Sequence, residues 1–104
     1  LSRAVDAQVE RGEPGMLLHT FDADPEDALG FVWTEVYADS DALLFHLNNA
    51  DLGAYLEAVS PHLDSFTIEL YGAVADEAVA ALRATGNSVT HYANVLGYIR
   101  DLSP

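Results

Sequence analysis

Residues 31–47, FVWTEVYADSDALLFHL, constrain the fold more than any other stretch, because the hydrophobic period changes inside them. Phe31 to Tyr37 is rich in aromatic and β-branched residues, as a strand is. Asp39 or Ser40 can cap a helix that follows at once, on which Leu43, His46 and Leu47 share a face by i+3 and i+4 spacing. A strand that turns directly into a helix must lay that helix back over its own sheet. The rest of the chain then has to supply the other strands.

It does so in a readable order. LSRAVDAQVERG places Leu1, Val5 and Val9 at helical spacing and ends at Gly12 and an EPG turn. MLLHTFDA reads as a strand, and DADPEDALG holds the Asp, Pro and Gly of a connecting loop, so the first two strands form an antiparallel hairpin. After the helix over DALLFHLNN comes a second helical piece, DLGAYLEAVSPHL. Then follow a strand in SFTIELYGAV, a short helix in DEAVAALRA and a last extended segment, SVTHYANVLGYIR. The order is α-β-β-α-β-α-β, which predicts an α+β fold: an antiparallel sheet with its helices on one face. Along FVWTEVY, alternation separates Phe31, Trp33, Glu35 and Tyr37 from Val32, Thr34 and Val36. The aliphatic set is expected under the helices, and the aromatic and acidic set against a second subunit or a ligand cavity.

The 104 residues fit a single domain spanning 1–104. Seventeen acidic residues against four arginines, with no lysine, give a formal net charge of −13. A chain so charged cannot assemble the basic footprint that nucleic acid requires, and it repels anionic lipid. The same surface suits high salt, where self-repulsion is screened. No apolar run approaches the length of a membrane span, and no secretory leader is visible, so a cytoplasmic location is expected. The absence of cysteine excludes disulfides, zinc–thiolate sites and thiol nucleophiles. No G-x-S-x-G, phosphate-cradling glycine loop or dinucleotide fingerprint occurs.

The blocks EPGMLLHTF, ADSDALLFHLNN and ELYGAVADEAVAALRATG resemble antibiotic-biosynthesis monooxygenase-like proteins, the quinol monooxygenase type of the dimeric α/β-barrel superfamily. Glu13, Pro14 and Gly15 match the turn of that family, Glu35 its strand acid, and Asp41, Leu44 and His46 fall close to its helix pattern. The resemblance implies a ferredoxin-like antiparallel sheet and a homodimer in which two free sheet faces close a barrel. It also implies a strand before the first helix. Either that strand lies outside this sequence, or the C-terminal segment fills its place.

The resemblance further implies oxidation of a small quinol or polycyclic phenol by dioxygen, with neither metal nor flavin. The protein then binds an aromatic ring, removes a proton and excludes water. His46 is the base by residue type, since an imidazole titrates at a reference pKa of about 6.5; an inward histidine is also what a satisfied core residue looks like. Trp33 would stack on the ligand or fill a dimer core. Glu35 needs a partner inside the sheet, with Arg11, Arg83 or Arg100 as candidates and the orientation of His46 as the other role. His19, Tyr37 and Phe66 are the remaining residues expected near the substrate, His19 only if strand register turns it to the same side. His62 reads as exposed and His91 as part of the last strand. No histidine spacing is that of a metal site. The haem-degrading relatives use an Asn, Trp and His combination, but the match of Asn48, Asn49 and Trp33 to it fails in position. The alternative from another class is a non-catalytic dimeric domain of the same fold, which binds a small molecule or a protein.

Overall fold

The computed structural model describes residues 1–100, and they form an α+β molecule of four helices and four strands. Helix α1 (Ser2–Gly12) leads through the EPG turn to β1 (Met16–Ala23) and β2 (Phe31–Tyr37). Helices α2 (Ser40–Leu47) and α3 (Ala50–Val59) follow, and α3 runs on into a 3-10 turn, Ser60–His62. Then come β3 (Thr67–Tyr71), α4 (Asp76–Arg83) and β4 (Ser88–Tyr92). No helix among the described residues is long and apolar enough to cross a membrane.

The caps explain the short elements. Asp39 takes the N-cap of α2, its carboxylate accepting from the Ala42 amide at 2.8 Å. Asn49 caps α3 in the same way. Gly15 is required by space: a Cβ there would lie 2.6 Å from the Cβ of Ala42, so its missing side chain lets the EPG turn sit against α2. The Gly15 carbonyl also accepts from the Ala38 amide at 2.9 Å, which ties the turn to the end of β2.

The four strands do not make the single antiparallel sheet that the sequence suggests. β1 and β2 pair antiparallel, with His19 opposite Glu35 and Phe21 opposite Trp33. β3 and β4 form a separate pair, and it is parallel. The reason is α4: two parallel strands need a crossover, and the eight-residue helix between them provides it. No Cα of β2 comes within 8 Å of a Cα of β3, whereas directly paired strands lie about 5 Å apart. The last extended segment is also shorter than the pattern suggests, because regular structure ends at Tyr92.

Each sheet carries its own core. Val5, Val9, Leu52 and Tyr55 are buried between α1 and α3, with Met16, Phe21 and Trp33 packed beneath them. Leu43, Ala78 and Leu82 are buried between α2 and α4, against Tyr37, Ile68, Leu70 and Val89. β2 serves both cores, Trp33 in the first and Tyr37 in the second. Glu35 stands between them on the same face.

That face is the reverse of the one expected. Trp33, Glu35 and Tyr37 point under the helices, whereas Val32 and Thr34 are exposed. The polar residues decide the parity: a carboxylate and a phenol inside a sheet need partners, and Glu35 finds His19 and His46 on the helix side while the Tyr37 hydroxyl donates to Glu35. Phe31, at the strand's start, is exposed and joins neither core.

Candidate functional site

Five ionisable side chains meet at the junction of the two cores. His46 comes from the inner face of α2, which Leu43 fixes one turn earlier, and both are buried. Glu13 comes from the end of α1 and is buried as deeply. Glu35 and Tyr37 come from β2, and His19 from β1, where the register sets it directly opposite Glu35.

His46 lies between two carboxylates. Its Nδ1–H is shared by both oxygens of Glu13, at 2.8 and 2.9 Å, and its Nε2 is 3.4 Å from Oε1 of Glu35. Burial alone would push the imidazole pKa down, but the hydrogen bonds and charges of Glu35, then of Glu13, outweigh it and hold the pKa above its ordinary value. The surroundings of His46 therefore favour its charged form, with Nδ1 donating to Glu13 and Nε2 facing Glu35. For Glu35, burial would raise the pKa. His46, with the Tyr37 hydroxyl and His19, brings it below the usual carboxylate range instead. The Tyr37 hydroxyl donates to Glu35, and burial followed by that neighbouring charge keeps it protonated well above the ordinary phenol range.

His19 is held differently. The Trp33 indole, which can only donate, gives its N–H to His19 Nε2 at 3.0 Å. Nε2 therefore carries a lone pair, and Nδ1 carries the hydrogen that goes to Asp6 at 2.8 Å. Asp6 is half-exposed, so the cluster reaches solvent through it. The two histidines are thus held differently a short distance apart, their ring centroids separated by 6.3 Å. One lies between two carboxylates; the other keeps an acceptor whose current partner is an indole.

The outer supports were not legible in the sequence. Asn49, besides capping α3, donates to Glu13 at 2.8 Å and to Gln8 at 2.8 Å. Glu13 read as part of a turn, and Asp6 was not singled out. The available signal was weak: Asp6 and Glu13 stand seven residues apart, two turns on one face of α1. The arginines expected beside Glu35 are not its partners; among the described residues its ion pairs are with His19 and His46.

The aromatic candidates assemble, but against one another. Trp33 stacks on Phe21 at 4.9 Å and meets Tyr55 and Phe66 edge-on at 5.8 and 6.4 Å. Two open clefts flank the cluster. One, of about 310 Å³, runs past Glu13, Gly15, Asp39 and Phe45, and the other, of about 200 Å³, past Asp6, Glu10, Leu18 and His19. His46, Trp33, Tyr37 and Phe66 line neither. His62 is exposed, and His91 bonds the Gly72 carbonyl at 2.8 Å, far in the chain from the cluster. Among the described residues no group of three His, Asp or Glu side chains is placed to hold a metal ion. Set against known proteins, the chain matches no family model, no curated protein and no solved structure.

Proposed function

We propose that this chain is a cofactor-independent monooxygenase acting on a small quinol or polycyclic phenol in the cytoplasm, and that His19, Glu35 and His46 carry the proton chemistry. The supporting observation is the pairing of a buried imidazolium, His46, with a second imidazole, His19, that keeps a lone pair and has an exit to solvent through Asp6. A phenol entering by the cleft at His19 would replace the Trp33 N–H as the partner of Nε2. The phenolic proton goes to His19 Nε2, and the Nδ1 proton passes to Asp6. His46, held by Glu35 and Glu13, stabilises the resulting phenolate. The phenolate reduces dioxygen directly, so that phenol and dioxygen become quinone and water with no other reductant. Trp33 and Tyr37, edge-on to His19 and His46, with Phe66 packed on Trp33, back the site behind the cleft.

The reading carries a ferredoxin-like unit and a homodimeric α/β barrel with it. The face free to meet a second copy is the Leu18, Thr20, Val32 and Thr34 side of β1–β2, rather than the Trp33 side. The test is dioxygen uptake against a panel of quinols and anthrones with a chelator present, comparing the wild type with His19→Ala and His46→Ala. Uptake that survives the chelator and is lost in both variants is the expected result. No uptake above buffer from folded protein sinks the reading.

One observation favours a second reading, a non-catalytic binding or interaction domain. Trp33, Phe21 and Phe66 fill space between elements and line neither of the two clefts, as residues that hold a scaffold do. A ligand that binds at His19 without consuming dioxygen would select it.

A further inference from the structure

Beyond the strand β4, Ala93–Arg100 leaves the body of the molecule. Val95, Leu96, Tyr98 and Ile99 are 95, 91, 79 and 81% exposed. The Arg100 guanidinium stacks over Tyr98 and bonds its hydroxyl, both within the segment itself. Four large apolar side chains in five consecutive positions, all in water, mark a surface that expects a partner.

A complementary surface exists on the same chain. β2 pairs with β1 along one edge, and its other edge meets no strand. At the start of that edge Phe31 and Val32 are exposed, with Leu29 exposed just before them. Asp22, Asp24, Glu26 and Asp27 lead into this apolar tip along the chain, and Asp22 is paired with Val32 across the hairpin. The tail does not share that charge: from Ala78 to Arg100 the chain has no acidic residue, and within Ala93–Arg100 the single charged side chain is Arg100. In a chain of net charge −13, a second copy is a poor partner everywhere except where this stretch meets the acidic remainder.

We propose that the tail Ala93–Arg100 of one copy docks as an added strand on the free edge of β2 in a second copy, next to Phe31 and Val32, and that the exchange is reciprocal. Backbone amides and carbonyls of the edge supply the affinity, as in other strand additions, and the apolar tail residues cover the exposed tip. Because each copy offers both a tail and an edge, two exchanges close the pair and leave no free end to polymerise. The added strand lies beside β2, which carries Trp33 and Glu35, so the second copy walls the outer side of the candidate site. The exchange does not depend on the proposed oxidation, and it is tested without it.

The chain has no cysteine, which makes the test direct. Light scattering on the full chain is expected to give a dimer, and a chain ending at Ala93 a monomer with unchanged circular dichroism. Leu96→Asp with Ile99→Asp is expected to do the same without shortening the chain. Mixing a Val32→Cys chain with an Ile99→Cys chain should then give the mixed disulfide in excess over both homodisulfides. A full-length monomer overturns the proposal, including one whose tail resists protease because it folds back on its own chain. So does a dimer that persists in both tail variants, as one held by the sheet faces alone would, or a mixture in which the mixed disulfide is no commoner than chance.

Discussion

At the residue scale, the buried imidazolium governs how the molecule responds to its solvent. Glu13→Gln keeps the size of the side chain but leaves the His46 charge with one carboxylate fewer. Breaking a buried pair in this way costs about 3 kcal/mol, read as a lower urea midpoint at pH 6. The pH dependence follows from both partners. The His46 pKa is raised in the folded state, so its contribution is complete below the unfolded value of 6.5 and is lost as pH climbs through the folded value above it. The Glu35 pKa is lowered, so its contribution is complete above 4.5 and is lost as pH falls through the folded value below that. Stability from this pair should therefore be greatest between pH 4.5 and pH 6.5. A series of urea midpoints against pH would show it, and His46→Gln should flatten the alkaline limb. Of this cluster, His46, Glu35 and His19 were legible as residue types on an inner face or a strand. Glu13 was not, because a glutamate before Pro-Gly looks like any turn residue until a helix from far along the chain is folded onto it.

At the element scale, the EPG turn and α2 are fitted to each other through Gly15. Gly15→Ala puts a methyl 2.6 Å from the Ala42 Cβ, and overpacking of this kind costs about 1–3 kcal/mol. Ala42→Gly in the same chain should recover part of the loss, which a double-mutant cycle in urea measures. Asp39→Ala removes the cap of α2 and should cost about 1 kcal/mol. The elements themselves were largely legible, since period and caps are local. The hairpin followed from its loop, and the helices from Val5, Val9, Leu43 and Ala78. Two things were not. The facing of β2 hangs on a parity that a single-residue slip reverses, and only His46 and His19 show which side Glu35 must take. The partner of β4 is a long-range choice that local propensity does not encode.

At the scale of the whole molecule, net charge and the pair of cores dominate. With −13 charges and no lysine, self-repulsion should outweigh what exposed pairs contribute. The melting temperature is expected to rise between about 0.1 M salt, where screening acts over about 10 Å, and about 1 M, where it acts over about 3 Å. A fall across that range would mean that surface attraction prevails. The pairing of His46 with Glu13 is buried and should persist through the titration, visible in the imidazole resonances. Two cores joined by one strand and one helix have a different consequence for time. Thr67–Tyr92 is a strand, a helix and a strand in succession, closed on itself through Ile68, Leu70, Ala78 and Val89. It can breathe open as a unit while Val9 and Leu52 stay shut, so amide hydrogens of β3 and β4 should exchange with heavy water in one cooperative group, ahead of those in β1 and β2.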